Sequence, residues 1–272
     1  MSLTTPESRD YIVDIEDGLL RLTLNRPEQS NAMTTAMTPM LTGLFEAAAA
    51  DPRVRAIHVR GEGKNFSAGG DVPGFAKSLQ LSVEDRQEEF RGRIGRLGGL
   101  VQAVGGFPGP VIVEVRGGAA GAGLLFTLAA DYVIGDETSL FVFAHQSLGL
   151  CPDGGVSALL PQVVGLRTAR SLVLTGARVR ADEALRIGLL NRLVEAAALE
   201  AEAAKIAARL AKAPQLAVRS AKRLLNASPG ATIDEQMDAE TAAIAACVGD
   251  DDFTEGVYAF LEKRSPDFPS SR

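Results

Sequence analysis

Three short segments of the chain hold the residues whose types and spacing could do chemistry. In the first, residues 64–71, a predicted strand runs into two adjacent glycines, Gly69 and Gly70, and an acidic residue, Asp71, follows them. Glycines permit unusual backbone angles and a close approach of a ligand to the main chain. A plain tight turn has the same composition, and no Gly-Lys-Ser/Thr sequence follows, so the usual phosphate-binding loop is excluded.

The second segment, residues 115–125, follows an apolar strand and opens a predicted helix of small residues. Its Gly-Ala-Gly sequence at 121–123 lacks the third glycine and the acidic residue of a dinucleotide-binding fingerprint. Two interpretations stay open. The small residues let the helix pack tightly, or free N–H groups at the helix start face an oxyanion of a ligand.

The third segment, residues 145–155, contains His145 and Asp153, with Asp153 between a proline and two glycines. An acidic residue just before a helix most often caps that helix. A lone histidine is more often structural than catalytic, and His58, which lies inside an alternating strand, is predicted to be structural. The segment alone therefore leaves the roles of His145 and Asp153 open.

The composition excludes several classes of protein. The chain has 272 residues with 28 Lys and Arg against 34 Asp and Glu, a net charge of −6, and no basic stripe typical of nucleic-acid binding. Two cysteines and two histidines are too few for a Cys-rich zinc site or a disulfide framework, so no metal is expected. The acidic first 20 residues argue against a signal peptide, and residues 117–130 are too short and glycine-rich to span a bilayer. We therefore expect a soluble, cytoplasmic protein that binds neither nucleic acid nor membranes.

The elements that must position these segments are predicted from the hydrophobic periodicity. Short strands alternate with helices up to about residue 195 and helices dominate afterwards, which predicts an α/β core in residues 1–197 and a helical region in residues 198–272. Residues 1–9 are predicted to form a loose tail. The predicted strands are 12–15 and 19–24, joined by an Asp-Gly hairpin, then 54–60, 110–115, 131–134, 139–143 and 190–194. The predicted helices are 33–50, 82–104, 121–130, 199–212, 215–225, 234–247 and 251–263.

Taken together, in this order and spacing, the three segments resemble the crotonase superfamily, also called the enoyl-CoA hydratase/isomerase family. Residues 24–28, with the sequence LNRPE, and residues 31–33, NAM, resemble the family's N-terminal signature. Residues 255–264, EGVYAFLEKR, resemble its C-terminal helix. Residues 176–190 are similar to its helix and turn after the site, so the resemblance extends over about 11–268. It implies a spiral of ββα units followed by a C-terminal helical oligomerisation region that builds a homotrimer or a hexamer, a dimer of trimers.

The resemblance also implies an acyl-CoA thioester substrate of the kind handled in fatty acid metabolism, with CoA as part of the substrate and no separate cofactor. It assigns the main-chain N–H groups of Gly70 and Ala122 to an oxyanion hole for the thioester carbonyl, where two donors stabilise an enolate. For CoA itself it implies the Ala68 main chain at the adenine, Arg26 near the phosphates or pantetheine, and Lys263 at the phosphates of a neighbouring subunit's CoA. Ordinary surface charge is the alternative interpretation of Arg26 and Lys263.

The chain departs from the pattern of the family's hydratases, which hold water between two glutamates. Leu125 and His145 occupy the two glutamate positions. Asp153 stands where enoyl-CoA isomerases of the family, of the type that act on dienoyl-CoA or 1,2-epoxyphenylacetyl-CoA, carry a catalytic aspartate. A single carboxylate suffices to move a double bond, and a dry pocket raises the proton affinity of such a group. We expect Leu125 and Phe143 to supply that dryness as walls of the acyl pocket.

The leading hypothesis is therefore an enoyl-CoA isomerase with Asp153 as its acid and base. His145 is the second candidate catalytic residue, and it could orient Asp153, protonate substrate or line the pocket. One alternative is an enoyl-CoA hydratase that uses Asp153 and His145 in place of two glutamates. Another is a non-catalytic acyl-CoA-binding protein, which the loss of both glutamates favours.

Overall fold

The computed structural model describes residues 8–271, and most of the predicted tail, residues 1–9, lies outside them. The strands within the described part are β1 Tyr11–Glu16, β2 Leu19–Leu24, β3 Ala56–Gly61, β4 Val111–Val115, β5 Gly118–Ala120, β6 Tyr132–Asp136, β7 Leu140–Val142, β8 Arg178–Arg180 and β9 Arg192–Val194. The helices are α1 Met37–Ala50, α2 Val72–Ser78, α3 Val83–Gly106, α4 Ala122–Ala129, α5 Val156–Val164, α6 Leu166–Thr175, α7 Ala181–Ile187, α8 Leu199–Ala211, α9 Gln215–Ala227, α10 Ile233–Val248 and α11 Asp251–Glu262.

A six-stranded sheet in the order β1-β2-β3-β4-β6-β9 is the frame of the fold. β1 and β2 pair antiparallel across a two-residue turn in which Asp17 and Gly18 both have positive φ, so the predicted Asp-Gly hairpin is confirmed. The other neighbouring strands pair in parallel. Because β3 and β4 are parallel, the first and second segments leave the sheet at the same edge.

The two faces of this sheet are covered by different helices. One face carries alternate residues such as Leu20, Leu22, Ile57 and Val59, which join the main core together with residues of α1, α3 and α4. The other face carries Leu19, Ala56, Ile112 and Ile134, which pack against α8. The predicted boundary between residues 197 and 198 thus precedes a helix that completes the sheet's second face. The division into two regions stays a prediction.

A small three-stranded sheet, β5-β7-β8, connects the second and third segments. β5 pairs in parallel with β7, so the start of α4 and the turn His145–Leu148 follow two neighbouring strands. The sequence did not predict β5, β8 or α2, because the sequences GAA, RVR and VPGFAKS contain no apolar run that would mark them.

The helix that bounds the site is α3, and its predicted start is confirmed. The Ser82 side chain accepts a hydrogen bond from the Asp85 main-chain N–H at 3.0 Å, and Glu84 and Asp85 lie in the first turn. By contrast, α1 begins at Met37 rather than at residue 33, because Met33 donates its N–H to the Gly69 carbonyl at 2.7 Å instead. Among the described residues, no helix is long and apolar enough to cross a membrane.

Candidate active site

The three segments singled out in the sequence meet at one cavity of about 520 Å³. Gly70 comes from the first segment, Ala122 from the second, and His145 and Asp153 from the third. The cavity opens between these segments and the inner faces of α2 and α3. Residues far apart in sequence are thus brought to one site by the parallel pairing described above.

The first segment is held against β5 by main-chain hydrogen bonds. Ser67 donates its N–H to the Gly118 carbonyl at 3.0 Å, and Ala120 donates to the Ser67 carbonyl at 3.0 Å. Gly69 has φ of +89°, and a Cβ atom at this position would lie 2.5 Å from the Ala120 carbonyl oxygen. The position therefore excludes every residue except glycine, and a Cβ atom on the adjacent Gly70 would lie 2.9 Å from Phe75 Cζ.

The second segment also packs against the first. Gly121 has φ of +45°, and a Cβ atom there would lie 3.7 Å from the Gly70 nitrogen. A Cβ on Gly123 would lie 2.7 Å from the Ser67 carbonyl oxygen. Tight packing is therefore a reason for the small residues, and the same packing brings the start of α4 next to Gly70.

Two main-chain donors at this contact have no protein acceptor in the part of the chain that the structure describes. Ala122 is the first residue of α4, so its N–H has no partner within the helix. Gly70 likewise donates to no acceptor among residues 8–271. Both residues line the cavity, so an oxygen atom of a ligand could accept from this side.

Asn31 organises the entry to the first segment, and sequence reasoning gave it no role. It is fully buried with φ of +54°. Its Oδ1 accepts from the Arg26 N–H at 2.8 Å, and its Nδ2 donates to the carbonyls of Glu62 and Asn65 at 2.9 and 2.8 Å. The available signal was its place beside the LNRPE signature, together with the tolerance of asparagine for left-handed backbone angles.

The side chain of Asp153 does not cap the helix that follows. The N-cap of α5 is Gly155, and no side chain bonds there. Instead, Asp153 Oδ1 lies 3.2 Å from His145 Nε2, with 25% and 8% of the respective side chains exposed. His145 Nδ1 is buried and has no hydrogen-bond partner among the described residues. The pair thus places a carboxylate and an imidazole in contact with each other on the cavity wall.

Leu125 and Phe143 require a correction. Both side chains are fully buried in the main core, and neither lines the cavity. The apolar wall comes instead from α2, α3 and the third segment, and it includes Phe75, Phe90, Ile94, Leu97, Leu148 and Leu150. The physical reason for Leu125 is that α4 is buried around its whole circumference, so its residues 124–126 pack into the core. Phe143 follows β7 directly, and its side chain joins the same core.

The residues expected to contact CoA are dispersed. Ala68 lines the cavity beside Gly70. Arg26 is engaged with protein atoms, because its Nη1 donates to the Ala32 carbonyl at 2.5 Å and its Nε lies 3.5 Å from Asp10. Lys263 is exposed at the end of α11, with φ of +56°. Contacts of Arg26 and Lys263 with CoA stay predictions.

His58 lies away from this cavity, buried in the sheet. Its Nε2 is 3.2 Å from Glu114 Oε2, with both side chains less than a tenth exposed. This setting agrees with a structural role. Within the described residues, no three His, Cys, Asp or Glu side chains group as a metal site would require.

Comparisons with known proteins agree on one family. The family model described as enoyl-CoA hydratase/isomerase matches residues 14–271. The chain is 34% identical over 261 residues to 1,2-epoxyphenylacetyl-CoA isomerase of Escherichia coli, covering 93% of this chain and 96% of that protein. It is also 34% identical over 263 residues to crotonyl-CoA hydratase of Syntrophomonas wolfei, covering 96% and 98%.

A solved structure agrees with the sequence matches. The crystal structure of an enoyl-CoA hydratase from Bacillus anthracis superimposes with a TM-score of 0.89 at 27% identity, covering 96% of this chain and 99% of that one. The expected crotonase-type fold with C-terminal helices is therefore confirmed. Since both isomerases and hydratases match, the comparisons establish the family and leave the specific reaction open.

Proposed function

Because the chain belongs to the enoyl-CoA hydratase/isomerase family, we propose that it moves the double bond of an enoyl-CoA through an oxyanion-stabilised enolate, with Asp153 as the single acid and base. The observation that carries the proposal is the cavity shared by Gly70, Ala122 and Asp153. It offers two free main-chain donors for an oxygen and one carboxylate for a proton.

The proposed reaction needs few groups from the protein. The thioester carbonyl oxygen accepts hydrogen bonds from the N–H groups of Gly70 and Ala122. Asp153 takes a proton from C2 of a 3-enoyl-CoA, and the electron pair delocalises into a dienolate whose negative charge rests on that oxygen. Asp153 then returns the proton to C4, which leaves the double bond between C2 and C3. Protons and electrons balance without a cofactor.

The surroundings support a single base. Leu125, at the position of one hydratase glutamate, is buried in the core and has no group that transfers a proton. His145 contacts Asp153 and carries most of its side chain away from solvent. We assign His145 to holding the Asp153 carboxylate in place, so that one oxygen stays directed at the substrate.

A second reaction, hydration of a 2-enoyl-CoA, is favoured by one specific observation. Two titratable groups, His145 and Asp153, contact each other at the same cavity, and such a pair could hold a water molecule between protein and substrate. One relative, the crotonyl-CoA hydratase of Syntrophomonas wolfei, supports this alternative.

Absorbance of the conjugated thioester separates the two reactions. We expect 3-hexenoyl-CoA to give a product that absorbs as a 2-enoyl thioester, while crotonyl-CoA keeps its absorbance. Rapid loss of the crotonyl-CoA absorbance, with no conversion of 3-hexenoyl-CoA, would favour hydration. If both substrates bind without change and no proton exchanges at C2 or C4 in deuterated water, the chain is a binding protein.

We also propose that the chain assembles as a homotrimer or a hexamer. The exposed large apolar side chains on the C-terminal helices support the proposal, among them Ile233, Ile244, Phe260 and Leu261. Lys263 follows this surface directly, so a neighbouring subunit seated there would meet its ammonium group. CoA of that neighbour is the ligand proposed for Lys263.

A further inference from the structure

The cavity contains one cation that the proposed reaction does not use. Of the described residues that line it, Arg93 is the only lysine or arginine. It lies on the inner face of α3, where Phe90, Ile94 and Leu97 at helical spacing form an apolar stripe. An arginine inside such a stripe breaks the local hydrophobic pattern, which is a sign of a functional position.

The guanidinium of Arg93 is held in a fixed orientation. Its central carbon lies 4.8 Å from the ring centroid of Phe75 and 5.1 Å from that of Phe90. The two rings meet edge to face at 5.3 Å, and Nη2 donates to Glu89 Oε1 at 2.9 Å. The side chain is only 18% exposed, so aromatic faces and one carboxylate fix a cation that borders the cavity.

The hydrogen-bonding capacity of this group is not filled. Arginine carries five N–H donors. Among the described residues, Glu89 is the one acceptor bonded to this guanidinium, through Nη2. The other N–H groups on the terminal nitrogens belong to a side chain that borders the cavity, so an oxygen atom of a ligand could accept from them. Glu89 already offsets part of the charge of Arg93, so a neutral oxygen can also serve as the acceptor.

We propose that Arg93 selects acyl groups that carry a second oxygen acceptor, such as a ketone or carboxylate, in addition to the thioester carbonyl. Gly70 and Ala122 are assigned to the thioester end, while Arg93 lines the same cavity from α3. A plain hydrocarbon chain would fill the apolar stripe and leave the Arg93 donor unpaired. The inference rests on the proposed acyl-CoA function and names the substrate class of that site.

Binding of saturated acyl-CoA tests this inference without requiring turnover. The probes are hexanoyl-CoA against 5-oxohexanoyl-CoA and octanoyl-CoA against 7-oxooctanoyl-CoA, titrated calorimetrically into the full-length protein. We expect at least one oxo chain to bind about 10- to 100-fold more tightly than its plain partner, the range of a hydrogen bond to a charged donor. Equal affinity at both chain lengths would overturn the inference.

Two variants and a matched control locate the effect. Arg93→Met should abolish the difference in affinity between each oxo chain and its plain partner, and Arg93→Lys should retain part of that difference. Arg96→Met, at an exposed arginine three residues further along α3, should keep the full preference. Equal weakening of CoA and of every acyl-CoA by Arg93→Met would place Arg93 at the CoA portion and contradict the inference.

These outcomes separate the two proposals. A preference for oxo chains in a protein that converts no 3-enoyl-CoA would overturn the isomerase proposal and leave the role of Arg93 standing. Isomerase activity on plain chains, without any preference for oxo chains in binding, would overturn the role of Arg93 and leave the isomerase proposal standing. Circular dichroism of each variant checks that the fold is retained.

Discussion

At the scale of single residues, the decisive contact is that between His145 and Asp153. An aspartate before a helix ordinarily caps it, yet here the capping position falls to Gly155 and the carboxylate is free to face the cavity. His145 Nε2 lies 3.2 Å from that carboxylate, which favours one rotamer of Asp153. A carboxylate held in this way can accept and return a proton with little movement.

The role assigned to His145 predicts a graded response to substitution. His145→Gln keeps an N–H donor within reach of Asp153, so we expect turnover of 3-hexenoyl-CoA to fall by less than about tenfold. His145→Ala removes the donor, and misplacement of the carboxylate should lower kcat by about 10- to 100-fold with little change in KM. Steady-state kinetics of both variants measure kcat and KM separately.

A different result would change the assignment of His145. If His145→Gln were as inactive as His145→Ala, proton transfer by the imidazole itself would be indicated. The pH profile of kcat would then lose one limb in both variants.

At the scale of elements, contacts between glycines and main-chain atoms position the site. Parallel strands deliver the first two segments to one edge of the sheet, and Gly69 and Gly123 let them approach closely. Since both free N–H groups lie at this contact, their spacing depends on the fit of two main chains. Side-chain changes elsewhere in the cavity leave that fit intact.

Substitution of Gly69 tests the importance of this fit. Gly69→Ala combines a positive φ with a Cβ atom 2.5 Å from the Ala120 carbonyl oxygen, so the two segments must separate. We expect kcat to fall by about 100-fold, as for a displacement of roughly 1 Å at a reacting group. The free energy of unfolding should fall by more than the ~1 kcal/mol that an alanine at positive φ loses without a steric clash.

Gly149 provides the matched control for this substitution. It also has positive φ, at +69°, yet a Cβ atom there meets nothing within 4 Å. Gly149→Ala should therefore lose about 1 kcal/mol in a urea titration and keep most of its activity. Equal activity of the two variants would show that the contact with Ala120 does not position the site.

The elements also show how far sequence reasoning reaches. Patterns with a local cause, such as the Asp17-Gly18 hairpin and the Ser82 cap of α3, were predictable. The three segments could be recognised, while the direction of the Asp153 side chain could not, because it depends on a contact across the turn. Leu125 and Phe143 were misassigned for a similar reason, since apolar type does not tell a core wall from a cavity wall.

Arg93 illustrates a further limit. Its neighbourhood in α3 is rich in charged residues, as in an ordinary solvated helix, so it was not singled out. Only the packing of Phe75 and Phe90 around it shows that this arginine faces inward. A break in an apolar stripe at helical spacing was the one signal available beforehand.

At the scale of the whole molecule, the C-terminal helices carry several exposed large apolar side chains. The exposed side chains include Leu225, Ile233, Ile244, Phe260 and Leu261. Phe260 is 83% exposed near the end of α11. A closed cyclic oligomer of identical chains would bury this surface.

One charged substitution tests the proposed assembly. The wild-type chain should have three or six times the 28.6 kDa chain mass by light scattering, and Phe260→Asp should shift it toward the monomer, because a buried unpaired charge disfavours association. Ile12→Asp, at an exposed apolar residue of β1 outside the C-terminal helices, is the control and should leave the mass unchanged. A monomeric wild type would contradict the proposal.

The central claim, that Asp153 is the acid and base of a double-bond isomerisation, is tested most directly by turnover of 3-hexenoyl-CoA by Asp153→Asn. The amide keeps the shape of the side chain and cannot carry the proton. We predict a fall in kcat of about 10²- to 10⁴-fold, with hexanoyl-CoA bound as tightly as by the wild type. Near-normal turnover by this variant would contradict the account.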